Sequence, residues 1–160
     1  MVSIPSMYEK PHGCDLRKGR VTLPGHLYLI TAVTCQRQAL FEDIYPGRIV
    51  VREMMLSAIA GDVENVSFVV MPDHFHWLIY VTGNKSVSSI VGAVKRHSAR
   101  KINLRSGDNG RQIWQRGFHD HALRRDEDVA RVARYIVANP LRAGLVKRIG
   151  DYPLWDAVWL

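Results

Sequence analysis

Two short runs of sequence decide the fold of this chain, VSFVVM at residues 66–71 and HFHWLIYV at residues 74–81. Both runs are rich in β-branched and aromatic residues, which favour strands, and only Pro72-Asp73 separates them. The pattern predicts two neighbouring strands joined as a hairpin. Because side chains alternate between the two faces of a strand, His74 and His76 are expected to project together from one face.

The segments around this hairpin alternate between strand and helix patterns. A strand is predicted within 25–35, amphipathic helices between 47 and 61 and over 86–103, and a further strand within 114–123. A third helix is predicted over 126–139. The order β-α-β-β-α-β, followed by a helix, indicates an α+β fold: a ferredoxin-like (split βαβ, RRM-like) antiparallel sheet with helices on one face, plus a C-terminal helix and tail.

The third predicted helix places two polar side chains beside its apolar stripe. Tyr135 and Asn139 are four residues apart, so they lie one turn from each other on the same face. A phenol can act as a nucleophile towards a metal-polarised electrophile, and an amide oxygen can complete the shell of a hard metal ion. The alternative is a half-buried tyrosine and an asparagine at a helix end, with Pro140 ending the helix.

Length and composition set outer limits on the protein. The chain has 160 residues, 47% hydrophobic and 23% charged, which indicates one globular domain with a full core rather than a disordered chain. No apolar run approaches the roughly 20 residues needed to cross a bilayer, and residues 1–20 lack the apolar centre of a signal peptide. Cys14 and Cys35 have no CxxC spacing. We expect a cytoplasmic protein with no membrane partner, reduced thiols and a loose segment at 1–20.

Charge is concentrated in the second half of the chain. Residues 1–80 carry 7 basic and 8 acidic side chains, whereas residues 81–160 carry 15 basic and 7 acidic ones. Sixteen of the 22 cationic side chains are arginines, which bind phosphate in a bidentate manner and stack on bases. A polyanion such as nucleic acid is the favoured partner, although a solvated basic surface has the same composition.

Two segments have the HxH spacing that can hold a divalent metal ion. His74 and His76 share a face of a predicted inner strand, and a strand is rigid enough to keep two imidazoles on one ion. The same short pattern also occurs for purely structural histidines. His119 and His121 repeat the spacing around Asp120, which makes their strand polar on both faces. We therefore interpret the second pair as a surface or DNA-facing edge.

Four segments together resemble the single-tyrosine HUH transposases, and most closely the REP-associated tyrosine transposases. They are PGHLYLITAVTCQRQALF at 24–41, MPDHFHWLI at 71–79, WQRGFHDHALR at 114–124 and YIVANPLRAGLV at 135–146. The resemblance implies a catalytic domain over 21–140 and a C-terminal tail, 141–160, that packs near the active site. Insertion-sequence relatives usually have Gln where Asn139 stands, whereas the REP-associated branch has Asn.

The resemblance also implies a mechanism and its residues. His74, His76 and Asn139 would bind Mg²⁺ or Mn²⁺, and Tyr135 would attack the scissile phosphate of single-stranded DNA at repetitive extragenic palindrome (REP) hairpins. The product would be a 5′-phosphotyrosine. The branch implies a nucleoid-associated monomer rather than a domain-swapped dimer, and the competing hypothesis is a hairpin-binding regulator that does not cleave. For contacts to DNA we predict seven basic residues: Lys95, Arg96, Arg100, Arg124, Arg125, Arg131 and Arg134.

Overall fold

The computed structural model describes residues 22–158, so the segment expected at 1–20, Cys14 and Trp159 lie outside it. Within that range the chain forms five strands and four helices, with single 3₁₀ turns between some of them. The strands are β1 (Leu27–Val33), β2 (Val63–Met71), β3 (His74–Val81), β4 (His119–Ala122) and β5 (Trp155–Ala157). The helices are α1 (Ile44–Ile59), α2 (Val87–Ser106), α3 (Val129–Val137) and α4 (Asn139–Arg142).

The strands form one antiparallel sheet in the order β4-β1-β3-β2-β5. The predicted hairpin is the β2–β3 pair at its centre, where Met71 lies opposite His74 across the Pro72-Asp73 turn. The C-terminal tail packs back by adding β5 to the free edge of β2. The predicted α+β antiparallel fold is confirmed, with this short edge strand as an addition.

Helices cover both faces of the sheet. Phe75 and Trp77 of β3 face a core formed with α1 and α2, through residues such as Met54 and Val91. On the opposite face, Leu78 belongs to a second, smaller apolar cluster that contains Ala133 and Ile136 of α3. The predicted placement of the first two helices on one face is correct, and α3 covers the face from which the histidines of β3 project.

Leu154 of the C-terminal tail lies so close to Gly47 of α1 that little room is left for a side chain there. A Cβ atom on Gly47 would lie 2.3 Å from Cδ1 of Leu154, which is buried in the core beneath α1. A larger residue at this position would force the Leu154 side chain to shift within the core. The helix itself begins at Ile44, earlier than predicted, because Asp43 caps it by accepting a hydrogen bond from the Tyr45 amide and Pro46 is tolerated in a first turn.

Pro140 does not end the helical segment, which corrects the prediction for 126–139. Helix α3 ends at Val137, and α4 follows after Ala138 with Pro140 in its first turn. A proline lacks the amide hydrogen that the first turn of a helix leaves unused, so it can begin a new helix while breaking the old one. The start is also later than predicted, because Asp128 accepts a hydrogen bond from the Arg131 amide and caps the helix at Val129.

The strand predicted within 114–123 is shorter than expected. Only His119–Ala122 pairs with β1, and Trp114 makes an isolated bridge to Thr34. Gly117 between them has a φ of 72°, a left-handed conformation that interrupts the extended chain.

Candidate functional site

His74 and His76 lie side by side on β3, on the face covered by α3. Their rings meet edge to face with centroids 4.9 Å apart, and the two residues are only 9% and 8% exposed. In the neighbouring strands, Val33 and Met71 lie opposite His74, whereas Thr31 and Val69 lie opposite His76. The sheet therefore holds both imidazoles in fixed, largely buried positions.

A carboxylate orients His74. Nδ1 of His74 lies 2.5 Å from Oδ1 of Asp73, and Oδ2 of the same carboxylate accepts a hydrogen bond of 3.0 Å from Arg37. Burial alone would raise the pKa of Asp73, but the hydrogen bonds and charges of His74 and Arg37 outweigh it and lower that pKa. An ionised Asp73 holds the proton of His74 on Nδ1, which leaves the lone pair of Nε2 for another ligand.

A hydroxyl group orients His76. Nδ1 of His76 lies 2.8 Å from Oγ1 of Thr31 on β1. Burial, with smaller contributions from His74 and Arg142, lowers the pKa of His76 to about 3. The ring is therefore neutral near pH 7, and neutral imidazole is the form that binds metal ions. Two buried imidazoles with their Nδ1 atoms occupied fit a divalent cation held through the Nε2 atoms.

A third protein ligand for such a cation, from the described part of the chain, would have to be a side chain other than His, Cys, Asp or Glu. Among residues 22–158 there is no group of three or more His, Cys, Asp and Glu side chains that could hold a metal ion. The predicted set is not of that type, because Asn139 offers an amide oxygen. The Asn139 amide nitrogen donates to the Ile136 carbonyl at 2.9 Å and to the Tyr135 carbonyl at 3.3 Å. These bonds fix the carboxamide and leave Oδ1 as the atom that can bind a cation.

Helix α3 carries Tyr135 over the histidine face of the sheet. Val69 and Met71, the β2 residues opposite His76 and His74, belong to the same apolar cluster as Ala133 and Ile136 of α3. Tyr135 itself is half-buried. The helix therefore packs on the strand residues that flank the imidazoles.

Arg142 stacks on the Tyr135 ring and contributes to the low pKa of His76. Its guanidinium carbon lies 4.1 Å from the centroid of the Tyr135 ring, and its charge is one of the causes of the low pKa of His76. Sequence reasoning missed Arg142, although the residue is part of the YIVANPLRAGLV motif, because spacing alone does not predict this contact between α3 and α4. It also missed Thr31, Arg37 and Asp73.

The second HxH pair has a different environment. His119 and His121 are exposed on the edge strand β4, and Asp120 between them lies opposite Ile30, on the helix-covered α1–α2 side. Nε2 of His121 lies 3.0 Å and 3.2 Å from the two carboxylate oxygens of Glu127. His119 lies opposite Thr31, so it shares the face of His76 at the outer edge of the sheet.

The seven basic residues predicted to contact DNA fall into three groups. Lys95 is half-buried, and its ammonium group donates to the carbonyls of Gln115 and Gly117 at 2.8 Å and 2.5 Å, so it holds the backbone before β4. Arg96 and Arg100 are exposed on α2, across the sheet from the histidines. The remaining four are exposed around α3: Arg124, Arg125, Arg131 and Arg134.

The arrangement can be compared with known proteins. The model of the family described as "Transposase IS200 like" matches residues 23–139, which include both histidines, Tyr135 and Asn139. The chain belongs to this family. A REP-associated tyrosine transposase of Escherichia coli K12 is 32% identical over 89 residues, covering 54% of this chain and 50% of that protein.

Two further similarities point to the same group. A Haemophilus influenzae protein named for the REP-associated tyrosine transposases is 32% identical over 99 residues, 56% of each chain. A solved structure of a REP-associated tyrosine transposase bound to a REP hairpin superposes with a TM-score of 0.69 at 25% identity, covering 85% of this chain and 79% of that one. The resemblance predicted from the motifs is confirmed, although the chain spans only about half the length of the curated relatives. None of the helices described within residues 22–158 is long and apolar enough to cross a membrane.

Proposed function

We propose that this protein is a metal-dependent single-stranded DNA endonuclease and strand transferase that cleaves at REP hairpins through a 5′-phosphotyrosine. The observation that carries the proposal is the pair of buried imidazoles, each with Nδ1 engaged, on the face covered by α3, which carries Tyr135 and is followed by Asn139 in α4. Membership of a transposase family supports DNA as the substrate.

The chain's own residues would hold Mg²⁺ or Mn²⁺ at this face. His74 and His76 would supply Nε2 atoms and Asn139 its Oδ1 atom. A cation bound there would neutralise charge that develops on the non-bridging oxygens of the scissile phosphate. Asp73 and Thr31 would keep the imidazoles in the ligating tautomer and orientation, as the outer partners of metal-bound histidines do.

Tyr135 would act as the nucleophile. Its Oη forms a bond to phosphorus while the bond from phosphorus to the 3′ oxygen breaks, and the phenol proton ends on the departing 3′-hydroxyl. The number of phosphate ester bonds is unchanged, so the covalent 5′ link can later be transferred to another 3′-hydroxyl without a further energy source. A flexible, unpaired strand suits this reaction, because the phenol must approach in line with the leaving oxygen.

The proposed partner is single-stranded DNA next to a folded hairpin, bound by a monomer in the cytoplasm, at the nucleoid. Support comes from the basic second half of the chain and from the relative that was solved with a REP hairpin. Arg131 and Arg134, exposed on α3, lie on the same side of the sheet as the histidines and suit the strand that enters the site. Arg96 and Arg100, on the other side, suit the hairpin stem.

Covalent capture tests the proposal. The full chain is incubated with a labelled single-stranded REP hairpin and Mg²⁺ or Mn²⁺, and denaturing gels measure the protein–DNA adduct. We expect an adduct with the wild type, none with Tyr135→Phe, and an undiminished yield with Tyr45→Phe, since Tyr45 lies on α1 across the sheet. An adduct in Tyr135→Phe would exclude this nucleophile, and hairpin binding without any adduct would favour the non-cleaving regulator.

A further inference from the structure

Arg142 is the one described residue that contacts the candidate nucleophile through a cation–π stack. It ends α4, the single helical turn that follows the break at Ala138, and α4 packs on β2. Across this break, the guanidinium carbon of Arg142 lies 4.1 Å from the centroid of the Tyr135 ring. A guanidinium over a phenol face is attracted by the ring quadrupole, so the stack restrains the ring.

The guanidinium also lies beside the group that reacts in the proposed mechanism. Helix α4, which carries Arg142, packs on β2, and β2 pairs with the histidine strand β3. In the proposed reaction the scissile phosphate must lie at the Oη atom of Tyr135, so it comes next to the guanidinium stacked on that ring.

The donors of Arg142 are not consumed by a carboxylate. Arg37 binds Asp73 and Arg148 lies beside Asp151, but within residues 22–158 no carboxylate forms an ion pair with Arg142. The residue is exposed, so an incoming strand can reach it. A guanidinium presents up to five N–H donors in a planar fork that matches the oxygens of a phosphate.

We propose that Arg142 is a further catalytic residue, which restrains the phenol of Tyr135 by stacking and donates hydrogen bonds to a non-bridging oxygen of the scissile phosphate. This inference rests on the proposed function. Arg142 stays protonated throughout, because its pKa is too high for it to act as a base, so it takes no part in moving the phenol proton to the 3′ oxygen. Its contribution is to the charge that grows in the transition state.

The structure provides a matched control for this stack. The guanidinium of Arg105 lies 4.3 Å from the ring centroid of Tyr45, again without a carboxylate among the described residues as its ion-pair partner. Tyr45 and Arg105 belong to α1 and α2, on the opposite side of the sheet. The two stacks are alike in chemistry and differ in their distance from the histidines.

The test is a single-turnover measurement of adduct formation on the labelled REP hairpin. Arg142→Gln should slow the step by about 100-fold, the usual cost of losing one donor to a developing oxyanion, while the Kd for the hairpin changes little. Arg142→Lys should recover part of the rate, because it restores the charge but not the fork. Guanidinium ion added to Arg142→Ala should raise its rate, and Arg105→Gln should react like the wild type.

Metal affinity separates a direct role from damage to the site. Binding of Mn²⁺ alone, measured by electron paramagnetic resonance without DNA, should be as tight or tighter in Arg142→Gln, because the substitution removes a positive charge and leaves the three proposed ligands in place. A loss of Mn²⁺ affinity in Arg142→Gln would assign the residue to the architecture of the site and overturn the inference.

The outcomes distinguish this inference from the proposed function. If the wild type forms an adduct and Arg142→Gln forms it equally fast, Arg142 is a surface stack like Arg105 and only the inference is wrong. If the wild type forms no adduct, the proposed function fails and the inference fails with it. Should Arg142→Gln lose its fold, Arg142→Lys and guanidinium rescue of Arg142→Ala decide, and absence of rescue in both overturns the inference.

Discussion

The two HxH segments have the same spacing on two strands of one sheet, but their surroundings differ. His74 and His76 are buried on β3, with Nδ1 atoms bound by Asp73 and Thr31. His119 and His121 are exposed on the edge strand β4, and Nε2 of His121, the atom that would bind a metal in the first pair, faces the carboxylate of Glu127. Spacing makes a pair of histidines possible ligands, and we propose that the position of the strand in the sheet decides which pair binds a cation.

Removing one imidazole from each histidine pair distinguishes the two pairs and should give the largest effect. His76→Ala should lower metal-dependent adduct formation by on the order of 1,000-fold or more, since loss of a ligand exceeds the 10–100-fold effect usual for its outer partners. His121→Ala should retain the activity. Adduct yield across a Mn²⁺ titration measures both, and a cation requirement that survives in His76→Ala but not in His121→Ala would transfer the metal to β4.

A smaller effect tests the carboxylate beside each pair. Asp73→Asn removes the charge that fixes the tautomer of His74 and should weaken Mn²⁺ binding by about 10- to 100-fold. Glu127→Gln makes the same chemical change beside His121 and should leave Mn²⁺ binding unaltered. Isothermal titration of both variants with Mn²⁺ is sufficient, and equal affinities would mean that Asp73 has no role in metal binding.

Thr31→Val extends the comparison to the other ring. Valine keeps the shape of the side chain but removes the hydroxyl group that binds Nδ1 of His76. We expect Mn²⁺ affinity to fall by about 10-fold, the lower end of the range for an outer partner, because the strand still holds the ring. Thr82→Val, on the exposed loop after β3, is the control, and an equal loss in both variants would contradict the role of Thr31.

The smallest expected effect concerns two neighbouring cations of α2. Lys95→Met loses the hydrogen bonds to the carbonyls of Gln115 and Gly117 and should lower the free energy of unfolding by about 2 kcal/mol. Arg96→Gln should change this free energy by less than about 0.5 kcal/mol. Urea denaturation measures both. The Arg96 variant should instead weaken hairpin binding and reduce its salt dependence, and the opposite pattern would restore Lys95 as a contact to DNA.

The sequence predicts the features that depend on local periodicity. Alternation along residues 74–81 correctly places His74 and His76 on one face, and the spacing of apolar residues correctly predicts α1 and α2. The sequence predicts the helix ends less accurately. Asp43 and Asp128 cap the starts of α1 and α3, which differ from the predicted starts. Pro140 stands in the first turn of α4, so helical structure continues beyond the predicted end. The strand β5 was missed because three residues contain too little alternation to recognise.

Contacts between distant segments could not be derived from spacing. Thr31 reaches His76 only through the β1–β3 register, and Arg37 reaches Asp73 through a turn in which Gln36 and Arg37 have φ values of 54° and 52°. Such left-handed conformations in residues other than glycine cost energy and persist only when surrounding contacts compensate. Arg142 was missed for a similar reason, because its stack on Tyr135 joins two separate helices.

The central claim is that the imidazoles of β3 and the phenol of α3 form one metal site. Fluorine NMR of the protein labelled with 3-fluorotyrosine, titrated with Mn²⁺, tests it most directly, because a bound paramagnetic ion broadens only nearby resonances. We predict that Mn²⁺ broadens the Tyr135 signal and leaves the Tyr45 signal sharp, and that the broadening disappears in His76→Ala. A sharp Tyr135 signal at saturating Mn²⁺ would contradict the claim.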